Sequence, residues 1–204
     1  MLVILTANCP ASAMNPLIRK IWPLAVLVAV LVAGCQPRDG RAETKERELM
    51  HTSFEEMVGW APAPPPSPAI PPSLSTVKAH TGKYAMRVDS ANAYSFSYRA
   101  SLGSLCSTHR PRRLTLGAWV WVPRFEDTAV LVFALSDPNN PDQPLLSKYV
   151  YLTDSGPFGK WKYVSRAIDL PGNIHSNTQV VIYLWRANAA QPVYADDLQL
   201  TELW

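Results

Sequence analysis

From Lys83 to Trp204 the chain alternates apolar and polar residues in short runs broken by turn residues. A period of two is what a strand with one buried face produces. The runs are YAMRVD (84–89), YSFSY (94–98), RRLTLGAWVWV (112–122), TAVLVFALS (128–136), SKYVYLT (147–153), KWKYVSRAIDL (160–170), QVVIYLWRA (179–187) and VYADDLQLTEL (193–203). Pro123, Asp137-Pro138-Asn139-Asn140-Pro141, Ser155-Gly156-Pro157, Pro171-Gly172-Asn173 and Asn188 to Pro192 punctuate them. No amphipathic helix of ordinary length is visible. The pattern predicts an all-β fold, an antiparallel β-sandwich of the jelly-roll kind, over residues 51–204.

The alternation also sorts residues by face. Tyr94, Phe96 and Tyr98 are expected on one side of their run. Leu114, Leu116, Ala118 and Val120 oppose Trp119 and Trp121. Val150 and Leu152 oppose Tyr149 and Tyr151, while Ile182 and Leu184 oppose Tyr183 and Trp185. Three runs thus carry aliphatic residues on one side and aromatic residues on the other. If the aliphatic side is core, Trp121, Tyr151, Tyr183 and Trp185 form a platform, with Arg166 and Arg186 as polar contacts. The competing reading buries the rings, as sandwiches do routinely. Trp119 and Trp161 are read as structural. Alternation in the last run sets Asp196 beside Tyr194, Leu198 and Leu200 on the apolar face, where a carboxylate needs a partner.

The N-terminal segment follows a different logic. Arg19 and Lys20 precede an uncharged apolar run, Ile21 to Ala33. Thirteen residues fall short of the about 20 that a membrane helix needs, but suit the core of a signal peptide. The run ends in Val32-Ala33-Gly34-Cys35, which resembles the lipobox of bacterial lipoproteins. That resemblance implies export, lipidation of Cys35 and cleavage before it, so residues 1–34 read as a signal peptide. Met14 would give it better proportions than Met1. Gln36 after the cysteine implies outer-membrane sorting by the enteric rule. Residues 35–50 read as the lipidated cysteine and a charged tether, helical towards its end. Residues 61–72 hold seven prolines in twelve positions and are expected as an extended polyproline insert.

Charge and cysteine content narrow the function. From Cys35 onward there are 17 basic and 16 acidic residues, a balance that argues against nucleic acid as a partner. Cys106 is the one cysteine beyond Cys35, which leaves no intramolecular disulfide for the body. His109, three residues on, makes a weak case for a nucleophilic pair; a buried, inert thiol is the plainer reading. The four histidines, at 51, 80, 109 and 175, lack metal-ligand spacing. Asp196 and Asp197 are adjacent, so in a strand they face opposite sides and do not act as an acid–base pair. The chain is therefore read as a non-enzyme.

Four stretches, in order, carry a family likeness: Ser53-Phe54-Glu55 with Gly59-Trp60; Ala79-His80-Thr81-Gly82-Lys83-Tyr84-Ala85-Met86-Arg87-Val88; Leu116-Gly117-Ala118-Trp119-Val120-Trp121-Val122; and Val193-Tyr194-Ala195-Asp196-Asp197-Leu198-Gln199-Leu200. They resemble the carbohydrate-binding-module jelly rolls of the galactose-binding-like superfamily. The resemblance implies a non-catalytic glycan-binding domain and a structural Ca²⁺ held by Glu55, Asp196 and the carbonyl of Lys83. The alternative is that Asp196 caps loop amides while Glu55 is solvated or ion-paired. At the level of the whole protein two readings stand. One is a lipid-anchored envelope protein that binds glycan. The other is a structural or protein-interaction lipoprotein whose partner is an envelope protein.

Overall fold

The alternating runs pair into two antiparallel sheets. The computed structural model describes residues 45–56, 60 and 70–204. The signal segment, Cys35, the start of the tether, Gly59 and most of the Pro-rich insert lie outside the described residues. Ten strands and one short helix follow in order: β1 (Glu46–Thr52), β2 (Leu74–Ser75), β3 (Ala85–Val88), β4 (Tyr98–Ser101), α1 (Leu102–Leu105), β5 (Arg113–Trp121), β6 (Val130–Asp137), β7 (Asn140–Tyr151), β8 (Trp161–Asp169), β9 (Gln179–Trp185) and β10 (Val193–Leu203). One sheet runs β2-β3-β10-β5-β8, with β1 also on β10; the other runs β4-β9-β6-β7. Among the described residues no helix is long and apolar enough to cross a membrane.

The core lies between the sheets and is made of the aliphatic halves of the runs. Leu114, Leu116, Ala118 and Val120 of β5 face Leu131, Phe133 and Leu135 of β6 and Val180, Ile182 and Leu184 of β9, all at 0% exposure. Phe54 and Trp60 fill the interior with Phe96. Their rings meet edge to face, 5.0 Å apart for Phe54–Trp60 and 5.3 Å for Trp60–Phe96. Trp60 also bridges to Tyr98 at the start of β4.

Two expectations change and a third holds. The end of the tether is a strand, not a helix: β1 pairs antiparallel with β10 from Glu46↔Leu203 to Thr52↔Leu198. Its Arg47 reaches the buried carboxylate of Glu202 at 3.3 Å. Glu202 also accepts from His109 Nε2 at 2.6 Å, so the ion pair docks β1 onto the body. Second, Tyr94, Phe96 and Tyr98 do not share a face. Tyr94 is exposed, whereas Tyr98 is buried and Phe96 packs on the core. The Ser95 hydroxyl accepts from Leu184 N–H and donates to the Phe96 carbonyl, displacing a regular ladder there. Third, Cys106 is buried and burial pushes its thiol up, with the Glu202 carboxylate adding to the effect, so the nucleophilic thiolate is disfavoured.

Trp60→Ala is expected to cost about 3–5 kcal/mol of unfolding free energy, as for large core aromatics generally. Ile70→Ala, at a side chain 68% exposed, is expected within about 0.5 kcal/mol of wild type. Urea denaturation of both variants checks the contrast.

Candidate functional site

The outward face of the four-stranded sheet gathers aromatic side chains from two strands and a loop. Val130 of β6 lies opposite Trp185 of β9 on one side and Tyr151 of β7 on the other. Val132, two residues on, lies between Tyr183 and Tyr149. Tyr94 continues the first row by bridging Trp185. The result is two adjacent rows, Tyr94–Trp185–Val130–Tyr151 and Tyr183–Val132–Tyr149.

The rings associate along and between the rows. Tyr94 and Trp185 lie in nearly parallel planes, 9° apart, with centroids 6.3 Å apart. Tyr94 and Tyr183 are 6.1 Å apart, and Tyr149 and Tyr151 are 6.5 Å apart. Tyr94, Tyr149 and Tyr151 are exposed, and Tyr183 and Trp185 are half-buried. Val130 and Val132 are buried although they point outward, because the flanking rings shelter them. Burial holds the Tyr183 phenol above its usual range, and the neighbouring hydroxyls of Tyr149 and Tyr94 push it further the same way. The face is thus an uncharged strip with an apolar floor, aromatic flanks and four phenol hydroxyls. Such a strip suits a ligand with flat C–H faces and a hydroxyl rim.

Of the residues expected on the platform, Tyr151, Tyr183 and Trp185 are brought together and Trp121 is not. Trp121 is on β5 of the other sheet, packed against Trp161 at 6.1 Å, with the Lys78 ammonium 3.9 Å from its ring centre. Two runs with the same alternation sit back to back, so their outward faces look in opposite directions. Arg166 is not a platform contact either. It stands on the edge strand β8 and donates from Nη1 to the Tyr149 carbonyl at 2.9 Å, joining the open edges of the two sheets. Arg186 follows Trp185, and its backbone amide donates to the Ala93 carbonyl beside Tyr94. Sequence reasoning missed Tyr94, because Ser95 breaks the alternation. It placed Tyr149 on the correct side of its run without selecting it.

The acids of the expected calcium site do other work. Asp196 Oδ2 accepts from His80 N–H at 2.7 Å and Thr81 N–H at 3.1 Å, and Oδ1 accepts from Asp197 N–H at 2.7 Å. Glu55 Oε1 accepts from Lys83 N–H at 2.7 Å and Tyr84 N–H at 2.9 Å. A cation needs converging oxygens, whereas Asp196 is ringed by donors, so it does not fit a calcium ligand. Among the described residues no group of three or more His, Cys, Asp or Glu side chains is placed to hold a metal. The two carboxylates instead clasp the turn 80–84 from both sides. Asp197 completes the clasp, accepting from Thr81 Oγ1 at 2.5 Å and meeting His80 Nδ1 at 2.6 Å, while the His80 ring stacks on Trp119 at 4.0 Å.

A bulge in β10 makes this arrangement. Asp196 pairs with Trp119 but Gln199 pairs with Gly117, so three steps on β10 span two on β5. The extra residue, Asp197, takes φ 45°. Side-chain parity flips there. Leu198 and Leu200 enter the core while Asp196 turns outward with Tyr194, beneath the clasped turn and fully buried. Burial raises the Asp196 carboxyl above its usual range against the three amides, which pull it down.

No family model matches the chain, and no curated protein matches it. Solved structures do. A CBM22 xylan-binding domain from Paenibacillus barcinonensis superposes with a TM-score of 0.50 at 13% identity, over 76% of this chain and 99% of that one. A second CBM22 xylan-binding domain from the same organism gives 0.48 at 18% identity, over 79% and 97%. The C-terminal family 22 carbohydrate-binding module of a Clostridium thermocellum protein gives 0.48 at 14%, over 75% and 91%.

Gly82 has φ 59°, and a Cβ there would stand 2.8 Å from Glu55 Cδ. Gly82→Ala is therefore expected to cost about 2 kcal/mol or more, from left-handed backbone strain and a displaced clasp. Urea denaturation reads it. Calcium or a chelator is expected to leave the melting temperature unchanged, and a calcium-dependent rise would restore the metal reading. Likeness at these identities is likeness of fold: the body of this chain is an antiparallel β-sandwich of the jelly-roll kind.

Proposed function

We propose that the chain is a lipid-anchored envelope protein, sorted to the outer membrane, whose β-sandwich binds glycan without catalysing a reaction. The observation that carries the binding reading is the double aromatic row on one sheet face, with its sheltered valine floor. A pyranose ring presents C–H groups on its faces and hydroxyls at its rim. Rings at Tyr94, Tyr183, Trp185, Tyr149 and Tyr151 offer apolar contact area held at low entropic cost by the sheet, and phenol hydroxyls offer hydrogen bonds. The xylan-binding neighbours in fold are consistent with this use of the architecture, and the lipobox-like Val32-Ala33-Gly34-Cys35 supports the anchor.

The full chain in detergent, titrated with a panel of soluble plant and cell-wall polysaccharides, is expected to show a saturable change in tryptophan fluorescence. Tyr183→Ala and Trp185→Ala should each weaken that binding about tenfold or more, as removal of a central aromatic contact does. Trp121→Ala, on the opposite face, should keep the wild-type affinity if circular dichroism shows it folded. A folded protein that responds to none of the polysaccharides would contradict the reading and favour an envelope protein as partner.

A further inference from the structure

Across the paired outward positions of β4, β9, β6 and β7, from Arg99 and Ser101 through Gln179, Val181, Tyr183 and Trp185 to Tyr149 and Tyr151, the single charged side chain is Arg99. Arg99 is exposed and lies opposite Val181, so it is a diagonal neighbour of Tyr183, within reach of a long side chain. Arg186 stands near the same end, directly after Trp185 and tied by its backbone to Ala93. Its Nε is buried and, among the described residues, makes no hydrogen bond.

Carboxylate-paired arginines occur elsewhere: Arg47 with Glu202, Arg87 with Asp89, Arg113 with Asp169 and Arg124 with Asp127. The chain as a whole is nearly balanced in charge, so the Arg99 guanidinium on this face is a local excess rather than a general one. A guanidinium presents a planar fork of donors that matches a carboxylate in two parallel hydrogen bonds. Among the described residues the paired outward positions of this sheet carry no acid, so an anionic sugar meets favourable charge along with the aromatic contacts.

We infer that this face takes an acidic glycan, one whose pyranose rings bear carboxylates, with Arg99 as the residue that selects for the charge. The inference rests on the glycan-binding reading above and narrows it to a substrate class. Neutral stretches would stack on the rings alone, and uronate units would add charge-assisted hydrogen bonds.

The test pairs each of three probes, glucuronoxylan, alginate and polygalacturonate, with the same polymer after its carboxyls have been reduced to alcohols. Affinity is read from tryptophan fluorescence of the full chain in detergent, at low and at high salt. At least one native polymer is expected to bind about tenfold tighter than its reduced form at low salt, with the gap narrowing at high salt. In Arg99→Gln the ratio of native to reduced affinity should fall towards one, whereas Arg99→Lys, which keeps the charge, should retain part of it. Equal affinity for native and reduced forms would overturn the acidic-glycan inference while leaving glycan binding in place. An unchanged ratio in a folded Arg99→Gln would overturn the role of Arg99. No binding by any native or reduced polymer would overturn both.

Discussion

Strand β6 is the element on which both sides of the four-stranded sheet depend. Its alternate residues Leu131, Phe133 and Leu135 are buried between the sheets, and Val130 and Val132 are buried on the other side beneath aromatic rings. A strand apolar on both sides has to be central, and β6 sits between β9 and β7. Its β-branched valines hold the neighbouring rings apart at the spacing of a pleated sheet. The platform therefore follows from register. Once Leu131, Phe133 and Leu135 are committed to the core, Trp185, Tyr183, Tyr149 and Tyr151 have to face outward.

The six-stranded sheet uses its outward face differently. Trp119, Trp121 and Trp161 also point away from the core, but the segment before β3 covers them. His80 stacks on Trp119 and Lys78 sits over Trp121. The covering turn stays down because Glu55 and Asp196 satisfy its amides, and Gly82 leaves the room that Glu55 needs. Acids that suggested a cation are better understood as caps for a turn that would otherwise bury unsatisfied N–H groups. On one sheet the loop covers Trp119 and Trp121, and the other keeps its aromatic face available.

Most of the fold was legible because period-two alternation is a direct record of burial, and seven of the ten strands lie where that pattern put them, while β4 starts only at the last residue of its run. The two missed strands had no such record. β1 alternates charged with apolar residues only weakly and depends on a partner nearly the whole chain away, with Glu202 buried against Arg47. β2 is two residues long. The candidate site was half legible. Alternation identified the aromatic sides of β7 and β9, but a strand's pattern does not say which sheet it joins, so Trp121 was grouped with rings on the opposite face. Bulges hide in the same way. Nothing in Asp196-Asp197-Leu198 announces an extra residue, yet that one residue decides whether Asp196 points into the core or under the turn.

The most direct test follows the indole N–H resonances of individual tryptophans as an oligosaccharide that binds the protein is added. The account predicts that the Trp185 resonance shifts progressively and saturates while those of Trp121 and Trp161 stay in place. Shifts at Trp121 and Trp161 with Trp185 unmoved would contradict it and transfer the binding face to the other sheet.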